Sequence, residues 1–418
     1  MSDLLHGLTI PGPRGARRGL LRSCPSELHR RWGRPPMTRE PLSQPHLRYS
    51  AAVLAAVALA SALAVSVWGF VSLDTGIQEL RDTDGYMRVV RVGELLNGDV
   101  GWFDGSAGRA NAPLGHSMHW TRPMDAVVIV VGLPQLALGG GADVAYWGGV
   151  LAGPVLLLAL VVATAWAARP LLGSAASWIA AFVVSLQPAI WAYSSAGRAD
   201  HHTLMMVLVA IVIGSALRVL TDPSEGSRGA ATVGGVASAL AMWVAIEILL
   251  WIGLVFAVGW LLRWSRGLDI DRLFSVWWTS CAVSTVVFLM IEHGFGGFAA
   301  VEFDRLSMPH VVLAVLLAVF WLVLARVDVP NENRLRFATI SMLIGLAGVM
   351  VMYAAYPDFF GGPLVDVPAE VQERWLFDVD EVQPALSMHS PSTSALLLVV
   401  PVIGSIVAIT LCFLATPR

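Results

Sequence analysis

The sequence predicts an all-α polytopic membrane protein, a transmembrane bundle with about ten spans and two large extracytoplasmic loops. Three observations carry that prediction. The 418 residues are 56% hydrophobic and only 14% charged, well outside the balance of a soluble domain. Apolar runs of about 20 residues, the length a helix needs to cross a bilayer, recur along the chain. Every positive side chain is an arginine, since the chain contains no lysine, and arginine gathers at alternate ends of the runs as positive-inside sorting requires.

The elements follow in order. Residues 1–48 carry nine Arg in a Pro-, Gly- and Ser-rich stretch without apolar periodicity, the composition of a disordered cytoplasmic tail. Met37 within it offers an alternative start. No cleavable signal peptide is expected, because the first apolar run begins near residue 49 and is long enough to span. Cys24, Cys281 and Cys412 are too scattered for a disulfide framework or a thiolate metal site, so redox chemistry is not indicated.

Candidate spans occupy residues 49–72, 144–167, 172–193, 204–221, 230–247, 248–264, 273–292, 309–327, 336–355 and 394–415. One more run, residues 124–139, is short and interrupted by Pro134, which suits either a short span or an interfacial segment. Charge sorting separates the two. If this run does not cross, Arg218, Arg228, Arg263, Arg266, Arg272, Arg326, Arg334 and Arg336 all face the cytoplasm. If it crosses, all of them face outward, against the positive-inside rule. The first arrangement is therefore expected, with residues 49–418 as the membrane domain and residues 73–143 and 356–393 as its large outer loops.

Long loops carry function more often than short ones, and three acidic patches fall on the outer side. The first loop opens with Asp82 and Asp84, followed at helical spacing by Arg88, Arg91 and Glu94. Taken alone, the plainer reading is an N-cap on an interfacial helix. His116, His119, Trp120 and Arg122 read as structural or interfacial anchors. Between the third and fourth spans stands "GRADHH", with Arg198, Asp200, His201 and His202. An Asp and a His two positions apart can point at one divalent ion, and a solvated turn is the plainer alternative. Placement at interface depth on the same side as Asp84 favours function. The last large loop carries Asp378, Asp380 and Glu381, then Gln383-Pro384; acidic loops are often merely solvated. Glu247, Glu292 and Glu302 each stand beside apolar sequence and read as helix-end residues.

Three of these pieces resemble, in order, side and spacing, the motifs of the catalytic membrane subunit of oligosaccharyltransferases. "TDGYMR" is similar to that family's first acidic motif. "ADHH" resembles the second, in the Asp-His-His form of archaeal members, and "VDEVQPA" resembles the short Glu-containing motif of the large loop after the ninth span. The resemblance covers roughly residues 49–415. It implies a GT-C fold and a glycosyltransferase of protein glycosylation that uses Mg²⁺ or Mn²⁺. The donor would be a polyprenyl-(pyro)phosphate-linked sugar or oligosaccharide, the acceptor a protein or glycan, and the active site extracytoplasmic.

By position, the resemblance implies Asp84, Asp200 and His202 as metal ligands and Asp84 with Glu381 as the catalytic carboxylates that hold the acceptor. Asp82, His201, Arg88 and Arg198 would be accessory. Membrane lipids are expected partners and nucleic acid is not; the expected location is the plasma membrane, with the N-terminus cytoplasmic. The family also has further spans and a soluble C-terminal domain with a Trp-Trp-Asp-Tyr-Gly motif. No such motif occurs in this sequence, so that domain is expected to be absent, whether the chain is a fragment or a reduced relative with another acceptor.

Two alternatives come from other classes. One is a metal-independent GT-C transferase using a polyprenyl-monophosphate sugar, in which Asp200 and His202 would have no ion to hold. The other is a lipid or glycan transporter. Transporters place ionisable residues near the midplane and show internal repeats, whereas here the acidic groups gather at one face and no repeat is evident.

Overall fold

The computed structural model describes residues 45–71, 80–107, 116–138, 144–327, 329–365 and 367–374. The Arg-rich segment before residue 45, the apolar run 394–415 and Glu381 with its acidic neighbours lie outside them. The described residues are helical apart from one short antiparallel pairing, β1 (Ser106–Ala107) with β2 (His116–Ser117). Seven helical stretches among them are long and apolar enough to cross a membrane.

Nine of the ten apolar runs coincide with described helices. They are α1 (Pro45–Val71), α5 (Val144–Ser185), α7 (His202–Thr221), α8 (Arg228–Val244), α9 (Leu249–Arg266), α10 (Asp271–His293), α11 (Met308–Val327) and α12 (Arg334–Ala355). Helix α5 accounts for two runs: its 42 residues are broken at Gly173, whose φ of 76° is one a side chain would resist. The short helix α6 (Pro188–Ser194) completes its second half. Helix α8, with 17 residues, is shorter than the others.

The doubtful run 124–139 forms two short helices, α3 (Arg122–Gly132, 11 residues) and α4 (Pro134–Ala137, 4 residues). Each is far below the roughly 20 residues a span requires. Helix α3 instead folds back along the start of α5, where an added Cβ on Gly148 would stand 2.0 Å from the Val128 carbonyl oxygen. The only backbones that can approach so closely are those without a side chain between them.

The main core lies among α7, α8, α10 and α11, with Trp277, Trp278, Trp321 and Phe274 fully buried. Lipid tails are as apolar as leucine, so such helices associate through packing and not through exclusion of water. Gly234 and Gly235 of α8 allow that packing: an added Cβ on Gly234 would stand 2.1 Å from the Trp277 ring.

The loops sort to two ends. At one, Thr121 bonds to the Trp243 carbonyl, the Arg122 amide to Glu292 (3.0 Å), the Trp102 indole to the Ile291 carbonyl (2.7 Å) and Arg305 to the Met118 carbonyl (2.9 Å). At the other, Arg218 reaches the Trp166 carbonyl (2.6 Å) and Arg263 the Val329 carbonyl (2.7 Å).

Candidate metal-binding and catalytic site

The site is built on the turn between α6 and α7. Gly197, at φ 82°, reverses the chain there, and its amide and carbonyl are both used. The amide donates to Val150 of α5 (3.0 Å), and the carbonyl accepts from the Arg81 amide (3.0 Å). The Arg81 side chain adds a bond to the Ala196 carbonyl (3.1 Å). The turn is thus stitched to a span on one side and to the first outer loop on the other, and Ala196, Ala199 and Asp200 are buried.

Asp200 is the centre of the polar cluster. Its Oδ2 lies 2.6 Å from His202 Nδ1 and its Oδ1 lies 2.9 Å from His201 Nδ1. The two imidazoles lie side by side, with ring centroids 4.5 Å apart. Burial alone would raise the Asp200 pKa, but hydrogen bonds from His201 and His202 outweigh it and hold the carboxyl well below its ordinary value. Asp200 also stands just before the N-terminus of α7, where the helix dipole favours negative charge.

Arg198 links this cluster to the first acidic motif. Its Nε is 2.8 Å from Asp82 Oδ2 and 3.8 Å from Asp200 Oδ2, and its guanidinium lies over the Tyr193 ring at 4.3 Å. Asp82 is the N-cap of α2 (Thr83–Asn97), accepting from the Gly85 amide at 2.6 Å. Burial raises its pKa against the pull of that amide and of Arg198, and the charges of Asp200 and Asp84 raise it further. Asp84 occupies the first turn of α2. The structure therefore gathers Asp82, Arg198, Asp200, His201 and His202 at one place, with Asp84 two positions along from Asp82 but not among the three residues that could share an ion. Glu381 lies outside the described residues.

A divalent ion fits the donor set. Asp200, His201 and His202 each offer one ligand atom, and these lie within 4.8 Å of one another, a spacing that one ion bridges. A set of one carboxylate oxygen and two imidazole nitrogens suits Mn²⁺, Zn²⁺ or Fe²⁺ better than Mg²⁺, which prefers oxygen alone. The cluster also places His201 beside His202 as a donor of equal rank.

Two residues named from sequence take other parts. Arg88 is 2% exposed and directed at Asp125 of α3, 2.9 Å away. Glu292 does lie at the end of α10, but it does not stand alone: it is buried, and its Oε2 accepts from the Trp243 indole (2.6 Å) and the Arg122 amide (3.0 Å). Both partners are remote in sequence. Trp120 and Arg122 are likewise buried and structural.

Asp125 is the residue that sequence reasoning missed. Fully buried, it faces Arg88 (2.9 Å), Arg91 (3.1 Å) and Arg122 (3.1 Å). Burial pushes the Arg91 pKa down to about 10 in spite of Asp125. A lone Asp opening an apolar helix was the available signal, because ionisable groups at membrane depth are functional candidates by default. Burial lowers the His119 pKa, with the charges of His201 and Arg88 acting in the same direction and those of Asp304 and Asp84 against it.

No protein-family model matches the sequence, and no curated protein does. The fold, however, is similar to that of the archaeal oligosaccharyltransferase AglB from Archaeoglobus fulgidus, solved in complex with an inhibitory peptide and a dolichol-phosphate. That match has a TM-score of 0.63 and 13% identity over 82% of this chain. Two more structures of the Archaeoglobus fulgidus oligosaccharyltransferase also match, one in complex with Zn and sulfate and one in the apo form. Their TM-scores are 0.55 and 0.56, with 14% and 13% identity over 72% and 81% of this chain. In each case the chain spans about 40% of the length of the solved protein. The resemblance carried by three short motifs is matched at the level of the fold: the chain has the architecture of an oligosaccharyltransferase-like membrane portion.

Proposed function

We propose that the protein is a metal-dependent membrane glycosyltransferase. It moves a sugar or oligosaccharide from a polyprenyl-(pyro)phosphate donor to a protein or glycan acceptor on the extracytoplasmic face of the plasma membrane. The observation that carries this reading is the joining of two acidic motifs, Asp82/Asp84 and Asp200/His201/His202, at one end of a fold shared with oligosaccharyltransferases. The bound dolichol-phosphate and inhibitory peptide of the archaeal protein support the donor and a peptide acceptor.

In this reading Asp84, Asp200 and His202 hold Mg²⁺ or Mn²⁺, with His201 as a further ligand and the donor set favouring Mn²⁺. When bound, the ion supplies positive charge to a departing phosphate. Asp84 and Glu381 orient the acceptor nitrogen or hydroxyl, a weak nucleophile whose reaction depends on placement. Asp82 and Arg198 hold the two motifs together. The exposed arginines at the opposite end support a cytoplasmic assignment of that end, and with it of the N-terminus.

A metal-independent GT-C transferase is the second reading. One observation favours it: Asp200 already pairs with His202 Nδ1 at 2.6 Å, with His201 and Arg198 close by, contacts that could hold the carboxylate in place of an ion.

The test is transfer of a labelled lipid-linked glycan by membranes supplied with Mn²⁺. Asp84→Ala and Asp200→Ala should each abolish transfer at unchanged expression, and Glu381→Gln should lower turnover with donor binding intact. Full activity in either alanine variant, or undiminished wild-type activity in excess EDTA, would contradict the metal assignment.

A further inference from the structure

We infer that Asp125 is a positioning residue for the proposed centre: it fixes the rotation and register of α2, and through α2 the placement of Asp84. The inference rests on the reading of Asp84 as a site residue, but its first test does not.

Helix α2 has 15 residues, lies outside the candidate spans and is amphipathic and largely polar. Isolated helices of that length are marginal in water, so its pose depends on tertiary anchors. Val89 and Val92 pack it against α3 and α5, and two polar anchors set its register. Its N-terminal end sits on the site turn, through the Asp82–Arg198 pair (2.8 Å) and the Arg81 amide on the Gly197 carbonyl (3.0 Å). Gly85 lies so near that an added Cβ would stand 3.2 Å from the same carbonyl oxygen. Its flank is held at Asp125, by Arg88 Nη1 on Oδ1 (2.9 Å) and Arg91 Nε on Oδ2 (3.1 Å).

Asp84, Arg88 and Arg91 follow an i, i+4, i+7 spacing and so share one stripe of the helix. The rotation that seats both guanidinium groups on Asp125 is the rotation that presents Asp84. The seat is narrow. Arg88 lies 4.5 Å over the Trp120 ring, and Arg91 donates to the Trp120 carbonyl at 2.8 Å. Arg122, on the same carboxylate, is tied by its Nε to the Trp102 carbonyl at 2.8 Å. Three guanidinium groups share one buried carboxylate, and that carboxylate holds their mutual repulsion in check. Neutralising it leaves two positive charges on α2 facing a third on α3, a repulsion that the apolar contacts of Val89 and Val92 must then resist.

Hydrogen exchange of the full chain in lipid nanodiscs, followed by mass spectrometry, tests this without reference to activity. In Asp125→Asn, and in Arg88→Gln should the first variant fail to fold, amides of residues 83–97 should exchange at least about tenfold faster. Residues 194–202 should loosen with them, while α10 and α11 keep wild-type protection. Unchanged protection of α2, or equal loss in every helix, overturns the inference. In the transfer assay, Asp125→Asn should lower kcat about tenfold or more with the donor KM within about twofold. A rise in KM alone would count against positioning. If Asp84→Ala retained full transfer, the proposed function would fall while the exchange result still decided what holds α2.

Discussion

The two ends of the helical bundle use arginine in opposite ways. At the site end, Arg88, Arg91 and Arg122 converge on Asp125, Arg198 pairs with Asp82 and Arg305 with Glu302. At the other end Arg228, Arg266, Arg272, Arg326, Arg334 and Arg336 are exposed, with Arg263 buried against Asp271 at 3.0 Å. The residue type is the same, and its surroundings decide its meaning. An exposed arginine meets water and lipid headgroups and reports which side of the membrane its loop occupies. A buried arginine reports a carboxylate that the fold must place. Arginines at the site end are largely neutralised by neighbouring acids, so the exposed arginines of the other end dominate a count made for sidedness.

The largest expected effect is all-or-none and concerns sidedness. A single cysteine replacing exposed Leu96 on α2 should react with an impermeant maleimide in intact cells, and one replacing Arg334 should react only after lysis. The reverse pattern would break the assignment of the two ends.

Next comes stability. Asp125→Ala strands three buried guanidinium groups and should cost on the order of 3–5 kcal/mol, read as a drop in Tm in detergent. Arg272→Gln, a change at the exposed end, should stay within about 0.5 kcal/mol. Equal costs would erase the distinction between the two ends.

The smallest effect is a pH dependence. Burial would raise the Glu302 pKa, but hydrogen bonding from Arg305 lowers it below its ordinary 4.5. A carboxyl depressed in the folded state stabilises above its unfolded pKa and loses that contribution as pH falls toward the folded value. Glu302→Gln should therefore lower stability at pH 7 by about 1 kcal/mol or less for a partly exposed pair, read as a small drop in Tm. The gap to wild type should close as pH drops below 4.5. A gap that widened on acidification would reverse the sign of that pairing.

How much of this was legible in the sequence follows from the range of each interaction. Helices at nine apolar runs could be read because hydropathy is a property of consecutive residues, and the failure of residues 124–139 to form one long helix was visible in Pro134. Asp200 and His202 could be paired because they stand two positions apart. Of the partners of Asp125, Arg122 stands three positions away, but Arg88 is 37 positions away and out of reach of sequence spacing. Glu292 meets Trp243 across 49 positions and Arg122 across 170, contacts that exist only once α3, α8 and α10 have packed. The Asp82–Arg198 pair joins two motifs that sequence order separates, and the turn at Gly197 brings them together.

The central claim is that the Asp200 cluster binds a divalent ion. It is tested most directly by titrating Mn²⁺ into the purified full chain in nanodiscs and following free Mn²⁺ by electron paramagnetic resonance. The claim requires one saturable site per chain in the wild type, weakened about tenfold or more by Asp200→Asn or His202→Ala. Absence of saturable binding, or equal binding by wild type and both variants, would contradict it.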